Sequence, residues 1–118
     1  DIAIRRELLT LPNGEKMFYQ VMSPVGRAPT AILVYLHGYT SQSDLYVEVL
    51  SEVARQGAVV VLPDLPCHGR SDGLIGYIPD WWAWVGLIWD LLDAVVPPLR
   101  AAGGPKQPLK VFCSGMSL

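Results

Sequence analysis

The chain has 118 residues, a length that accommodates one small domain with a hydrophobic core. Hydrophobic residues make up 51% of it and charged residues 17%, a balance that argues against intrinsic disorder. The net charge of −2 and the lack of a Lys/Arg cluster give no electrostatic footprint for nucleic acid. No signal peptide is visible, and Cys67 and Cys113 make neither a disulfide framework nor a metal site, so we treat both as free thiols.

The first predicted element is a β-hairpin between Glu7 and Met22. β-favouring residues flank Asn13-Gly14, and this pair supplies the positive φ angles that a tight type I′ turn requires. The stretch Ser23–Pro29, which contains prolines and a glycine, is predicted to be a loop.

A strand, helix, strand unit follows the hairpin. The unbroken apolar runs Thr30–Leu36 and Ala58–Leu62 predict strands buried on both faces, as in a parallel sheet covered by helices. The segment Asp44–Gln56 between them predicts a crossover helix that ends at Gly57. Its predicted cap is Ser43 or Asp44, and its residues at helical spacing are Leu45, Val49, Leu50 and Val53.

A glycine-containing turn, His37-Gly38-Tyr39-Thr40, follows the first of these strands. In open α/β sheets ligands bind beyond the carboxyl ends of the strands. Gly38 lets the backbone turn there so that an amide points into the site. We therefore predict the Tyr39 N–H as one donor of an oxyanion hole.

The second strand is followed by the polar loop 64–73, which reads DLPCHGRSDG. Its carboxylate and hydroxyl groups, Asp64 and Ser71, are expected to bind backbone amides. Gly69 and Gly73 are expected to relieve backbone strain.

The next helix is predicted from Trp81 to about Val96, with Asp80 at its start and Pro97-Pro98 at its end. Its apolar length approaches the ~20 residues of a membrane span, but its two aspartates and the Pro-Pro end favour a buried helix. We expect most of the helix to be covered, with Trp82 and Trp89 packed in the core. A narrow small or polar stripe comprises Ala83, Gly86, Asp90, Asp93 and Pro97.

The last stretch, Leu109–Leu118, reads LKVFCSGMSL and leads from an apolar run into Gly-x-Ser. It predicts a buried strand that ends in a nucleophile elbow, where a serine at a cramped turn needs small neighbours two positions away. Gly115 meets that need, so Ser117 is the candidate nucleophile and the Leu118 N–H the second oxyanion donor. A serine after a strand is also commonly just a helix N-cap.

This order of elements and motifs resembles the α/β-hydrolase fold from its N-terminus to its nucleophile. Within that superfamily, His37-Gly38 and the loop 64–73 resemble the monoacylglycerol lipase and lysophospholipase group of serine aminopeptidase-like hydrolases, whose loop commonly reads D-x-x-G-H-G-x-S-x-G. Cys67 stands at the first glycine of that pattern. The resemblance implies that residues 1–118 are the N-terminal part of a single α/β-hydrolase domain, with the cap and the C-terminal part absent.

The resemblance implies a serine hydrolase that cleaves lipid-type carboxylic esters through an acyl-enzyme on Ser117, without a metal or cofactor. The acid and the histidine of the triad follow the serine in this fold, so we expect this chain to be inactive alone. His37 and His68 match the family's turn and loop histidines, and we assign them structural roles rather than that of general base. Peripheral membrane contact and an intracellular location fit this interpretation.

Two alternatives stay open. One is a peptidase or amidase on the same fold, because amide and ester cleavage share the serine, the base and the oxyanion hole. The other is a non-catalytic α/β-hydrolase-like fragment that acts only as a binding or structural module. A glycine after Leu118, and then an acid and a histidine further on, would support an enzyme.

Overall fold

The structure is a computed structural model that describes residues 1–103 and 107–116. The described residues form one sheet with the strand order β1-β2-β4-β3-β5 and helices on both faces. The strands are β1 (Ile2–Thr10), β2 (Lys16–Pro24), β3 (Ala31–Leu36), β4 (Ala58–Pro63) and β5 (Val111–Gly115). The helices are a 3₁₀ turn (Ser43–Tyr46), α1 (Val47–Arg55) and α2 (Trp81–Ala101).

The predicted hairpin is present, but its turn is not type I′. β1 and β2 pair antiparallel from Ile2↔Pro24 to Thr10↔Lys16, which leaves residues 11–15 as the connection. The Gly14 N–H donates to the Leu11 carbonyl, so Pro12 and Asn13 are the central residues of the turn. Proline has a fixed φ near −65°, which suits the first central position of a type I turn. Only Gly14 then has a positive φ, of 91°.

β3 and β4 pair in parallel around the crossover helix, as predicted. Alternate side chains of each strand contact helices on opposite faces, which is why both strands read as continuous apolar runs. Ile32 and Val61 face α2, where they pack with Leu91 and Val95. On the other face Val60 and Leu62 pack against α1, together with Met22, Leu50 and Ala54.

The crossover segment begins as a 3₁₀ turn before α1 starts at Val47, and the N-cap residues of the two, Gln42 and Tyr46, make no capping hydrogen bond with their side chains. Ser43 and Asp44, the predicted caps, instead bind the Gln20 side chain on β2. Leu45 and Val49 are 66% and 70% exposed, so the apolar face of the helix is narrower than the sequence pattern indicated. Gly57 follows the end of α1 with a φ of 112°, as its predicted role requires.

The helix α2 begins where predicted, because the Asp80 carboxylate accepts a hydrogen bond from the Ala83 N–H at 3.1 Å. It does not end at Pro97 but continues through both prolines to Ala101. Proline removes an amide donor yet keeps a helical φ, and tertiary contacts hold the last turn. The Arg100 side chain donates from Nε to the Leu109 carbonyl at 3.0 Å, and the Arg100 backbone carbonyl accepts from the Leu109 N–H at 3.1 Å.

By length and composition alone, α2 is also the one described helix that is long and apolar enough to cross a membrane. In the structure it lies on the sheet with one face buried, formed by Trp84, Ile88, Leu91 and Val95. Only 22% of the most apolar 18-residue stretch of this helix is buried, so most of the helix is not covered by the described residues. Trp82 and Trp89 are 77% and 61% exposed, and their predicted place in the core is wrong for this chain.

The strand predicted in the stretch that starts at Leu109 begins two residues later, at Val111, as β5, and is exposed in this chain. It pairs in parallel with β3 and occupies the end of the strand order among the described residues. All of its residues are exposed, including Phe112 at 56%. The predicted sequence of elements therefore holds, and within the described residues the last strand is exposed along its whole length.

Candidate active site

The turn after β3 is tight and strained. The Ser41 N–H donates to the Gly38 carbonyl at 3.1 Å, with Tyr39 and Thr40 between them. Thr40 has a φ of 62°, the left-handed region that a β-branched residue rarely adopts. A positive φ only at the third residue is the pattern of a type II turn, which usually places glycine there.

Tyr39 lies in the middle of this turn, where its amide was predicted to serve an oxyanion. Its phenol donates to the Gly76 carbonyl at 2.6 Å, and its side chain is half exposed. Among residues 1–103 and 107–116, the Tyr39 N–H has no hydrogen-bond partner. An amide without a partner at the carboxyl end of a central strand suits an oxyanion donor.

The loop after β4 is organised by the buried carboxylate of Asp64. Its two oxygens accept hydrogen bonds from the Ser43 N–H at 2.7 Å and the Arg70 N–H at 2.9 Å. Ser71, also buried, accepts from the Phe18 N–H at 2.9 Å and donates to the Asp64 carbonyl at 2.6 Å. A side chain on Gly69 would collide with the Asp64 carboxylate, so only glycine fits at that position.

Cys67 adopts a backbone conformation normally reserved for glycine, with a φ of 66°. Glycine adopts this conformation without steric cost, which explains why the family that the loop resembles commonly has glycine at this position. Its Sγ atom occupies the space that a side chain on Gly73 would need. Burial raises the pKa of the Cys67 thiol, which disfavours the thiolate, the nucleophilic form of a cysteine.

Two fully buried histidines join the two loops. His37 follows β3, and its Nε2 atom accepts from the Leu65 N–H at 2.9 Å. His68 lies in the loop after β4, and its Nε2 atom accepts from the Thr40 N–H at 2.9 Å. Both Nδ1 atoms lie near backbone carbonyls, those of Gly38 at 2.8 Å and Pro66 at 3.0 Å. Burial lowers the pKa of His37, with the hydrogen bond to Gly38 opposing that change.

A polar network that the sequence did not predict braces these loops from the side. The fully buried Gln20 amide donates to the Ser43 hydroxyl at 2.9 Å and to Asp44 at 2.7 Å. Asp44 also accepts from Arg70 at 2.8 Å, and this hydrogen bond lowers the pKa of Asp44. The members of this network are single polar residues on β2, on the 3₁₀ turn and in the loop after β4, and no local sequence pattern connects them. The network is recognised only once β2 is seen to pair with β4.

The end of β5 lies beside the start of the turn after β3. Gly115 pairs with Leu36, and the Met116 N–H donates to the Leu36 carbonyl at 3.0 Å. Ser117 and Leu118, the predicted nucleophile and second oxyanion donor, lie outside the described residues. The register nevertheless brings the end of β5 to the same edge of the sheet as the His37–Thr40 turn.

An apolar cavity of about 190 Å³ opens beside the loop and the start of α2. Its walls include Cys67, Tyr77, Ile78, Trp84 and Leu87. Nearby side chains that are exposed add to the apolar surface: Leu74, Ile75, Tyr77, Trp81 and Trp82. Within the described residues, no group of three or more His, Cys, Asp or Glu side chains is arranged to hold a metal ion.

Comparisons with solved structures define the class. A carboxyl esterase from Bacillus coagulans superposes with a TM-score of 0.72 at 22% identity, over 94% of this chain and 35% of the esterase chain. An epoxide hydrolase from Vigna radiata superposes with a TM-score of 0.66 at 18% identity, over 97% of this chain and 31% of the hydrolase chain. The fold is therefore that of the α/β-hydrolases, and the chain spans about one third of the length of these structures.

The family is defined by the sequence itself. Residues 27–118 match the family described as serine aminopeptidase, S33. The chain thus belongs to the S33 serine aminopeptidase-like family of α/β-hydrolases. A comparison with curated proteins finds no significant match.

Proposed function

We propose that the protein is a serine hydrolase that cleaves lipid-type carboxylic esters, such as monoacylglycerols or lysophospholipids, with Ser117 as its nucleophile. The observation that carries this proposal is the pairing of Gly115 with Leu36. Ser117 follows two residues after Gly115 in sequence, and Tyr39 follows three residues after Leu36. The proposed nucleophile and the proposed oxyanion donor therefore follow, in sequence, two neighbouring parallel strands that end at the same edge of the sheet.

In the proposed reaction, the Ser117 hydroxyl attacks the acyl carbonyl carbon while a general base removes its proton. The oxyanion that forms accepts hydrogen bonds from the Tyr39 and Leu118 amides. The alcohol leaves with a proton from the same base, and water then hydrolyses the acyl-enzyme by the reverse sequence of proton transfers. The base is a histidine oriented by an acid, both supplied by chain that follows Leu118.

Neither described histidine suits the role of that base. In each histidine the Nε2 atom accepts a hydrogen bond from a backbone amide, and the Nδ1 atom lies within hydrogen-bond distance of a backbone carbonyl oxygen. A general base needs a free lone pair directed at the nucleophile. We therefore assign both to the loop framework.

The apolar surface beside the loop supports an ester with an acyl chain. The cavity next to Trp84 and the exposed side chains of Leu74, Ile75 and Tyr77 offer contacts to a hydrocarbon rather than to a charged group. The same exposed side chains support peripheral contact with a membrane. A groove of about 300 Å³ between α2 and β5, bordered by Trp89 and Val111, supports coverage by the following part of the same protein.

A second candidate function is aminopeptidase activity. The family that matches residues 27–118 is described as serine aminopeptidase, and the same serine and oxyanion hole serve both reactions. The two candidates differ in the leaving group, which is an alcohol in one case and an amine in the other.

The test uses the full-length protein and a fluorophosphonate probe. We expect labelling of the wild type, loss of labelling in Ser117→Ala, and unchanged labelling in Ser114→Ala, a matched serine on β5. Labelling that survives Ser117→Ala would refute the assignment. Faster turnover of alanyl or prolyl arylamides than of p-nitrophenyl esters would favour the aminopeptidase.

A further inference from the structure

The strain in the turn after β3 raises the question of what maintains it. A left-handed conformation is unfavourable for an L-residue, and such a residue persists only where its surroundings determine it. Thr40 is exposed, so the packing of its side chain does not offset that cost. Its backbone N–H, however, donates to Nε2 of His68 at 2.9 Å.

The geometry fixes the tautomer of His68. Because a backbone N–H donates only to a ring nitrogen that has a lone pair, Nε2 carries no hydrogen. The hydrogen is then on Nδ1, which donates to the Pro66 carbonyl at 3.0 Å. His68 is fully buried, and Tyr39 and Trp84 pack around its ring with centroid distances of 5.7 and 6.3 Å. The acceptor is thus held in one place from several sides.

His37 makes the same arrangement in the opposite direction. It belongs to the loop after β3 and accepts the Leu65 N–H of the loop after β4 at 2.9 Å. Its Nδ1–H donates to the Gly38 carbonyl, and the two imidazole rings lie 5.1 Å apart. Each loop therefore contributes a histidine whose Nε2 atom accepts a hydrogen bond from a backbone amide of the other loop.

We propose that His68 is a positioning residue for the oxyanion hole: through the Thr40 amide it holds the strained turn that aims the Tyr39 N–H. This inference rests on the proposed function. Because the Tyr39 amide would bind charge that develops only in the transition state, its misplacement lowers kcat and leaves KM nearly unchanged. A residue that only filled space would not produce that split.

Two substitutions of similar polarity separate the acceptor from the rest of the ring. In His68→Gln the side-chain oxygen lies as many bonds from Cα as Nε2 does, so it still reaches the Thr40 amide. His68→Asn places its polar atoms at the position of Nδ1 and does not reach Thr40. Removing an oxyanion donor costs ~100-fold to 1,000-fold, so misaiming one in His68→Asn should lower kcat at least ~10-fold while His68→Gln keeps most activity.

The experiment measures kcat and KM for p-nitrophenyl butyrate with the full-length wild type and both variants, each also in a Thr40→Gly background. Glycine adopts the left-handed conformation without steric cost, so the loss caused by His68→Asn should shrink there. Equal losses in the Gln and Asn variants, or a rise in KM with kcat unchanged, would overturn the proposal. An active wild type whose folded variants keep full kcat would overturn it while leaving the proposed function intact.

A wild type that neither hydrolyses esters nor reacts with a fluorophosphonate would instead remove the proposed function, and this role with it. Should the Asn variant fail to fold, ¹⁵N NMR of the wild type decides. We expect a His68 ring protonated at Nδ1, with a coupling between Nε2 and the Thr40 amide across the hydrogen bond. The opposite tautomer would overturn the proposal.

Discussion

Gly115 lies directly opposite Leu36 in the parallel pair of β5 and β3, and a Cβ atom at Gly115 would lie 3.2 Å from the Leu36 carbonyl oxygen. That oxygen also accepts the Met116 N–H, so it is not free to move away. The close approach of the two backbones gives Gly115 a second reason to be glycine, besides the space that an elbow serine requires.

We therefore predict that Gly115→Ala destabilises the protein by about 1–2 kcal/mol, as overpacking typically does. Urea unfolding of the full-length protein measures the change. The control is Ser114→Ala, one residue earlier on the same exposed strand. Equal stability of the two variants would contradict the prediction.

Replacement of Asp64 should be costly, because both oxygens of this buried carboxylate accept hydrogen bonds from backbone amides. In Asp64→Asn an NH₂ group replaces one carboxylate oxygen and faces either the Ser43 or the Arg70 amide. Either the buried Ser43 N–H or the partly buried Arg70 N–H then loses its acceptor. We expect a loss of about 1–3 kcal/mol in the free energy of unfolding. Asp72→Asn is the matched control, because Asp72 binds the Lys16 amide at an exposed site and should change stability little. Similar losses in both variants would show that burial is not the cause.

The stability of the protein should depend on pH through His37. Burial lowers the pKa of His37 in the folded state below the ~6.5 of an unfolded chain. Below pH ~6.5 the unfolded state then binds more protons than the folded state, so stability falls as the pH falls. Above that pH both states are neutral at this residue, and the contribution is fully present.

Thermal or urea unfolding between pH 5.5 and pH 7.5 checks this dependence. We expect a shallower pH dependence in His37→Gln, which keeps an acceptor for the Leu65 amide but does not titrate. Carboxylates that titrate in the same range affect both proteins equally. An identical slope in wild type and variant would contradict the prediction.

The local features of the fold were predictable because their causes lie within a few residues. Asp80 caps α2 through the amide three residues on, and Gly57 follows α1 with the positive φ expected of a stop. Continuous β-branched runs correctly indicated the parallel strands β3 and β4. The sequence also contains Pro12, whose fixed φ favours the first central position of a type I turn, in competition with the type I′ turn that Asn-Gly favours.

Features that depend on distant partners were not predictable in the same way. The helix α2 passes through Pro97 because Arg100 and Leu109 hold its last turn, a contact that no local pattern encodes. Trp89 is a large aromatic residue of the kind that usually packs in a core, but among the described residues its side chain is exposed. The Tyr39 turn was located from sequence, whereas its support by His68 required the two loops to be seen together.

Because β5 is exposed, we expect Phe112→Lys to have opposite effects on the 118-residue chain and on the full-length protein. Phe112 is 56% exposed on the 118-residue chain, where an apolar edge strand favours aggregation. Phe112→Lys should raise the soluble fraction of this chain expressed alone. In the full-length protein, where the following chain is expected to cover β5, the same change should lower the free energy of unfolding by about 1–3 kcal/mol.

Soluble yield after centrifugation and urea unfolding provide the two measurements. Val25→Lys is the control, because Val25 is similarly exposed but lies in a loop rather than on the sheet edge. It should change neither quantity much. A full-length protein that is unaffected by Phe112→Lys would show that β5 stays uncovered.

The strand order has a consequence for the timing of synthesis. β4 is complete at Pro63 and pairs with β3, but the other edge of β3 has no partner until β5 is made, beginning at Val111. At ~5–20 residues per second, the ribosome takes roughly 2–10 seconds to cover that distance. During this interval the nascent chain carries an open, apolar strand edge next to the turn that follows β3. Until β5 has left the ribosome, this edge of β3 is thus open to pairing with strands of other chains.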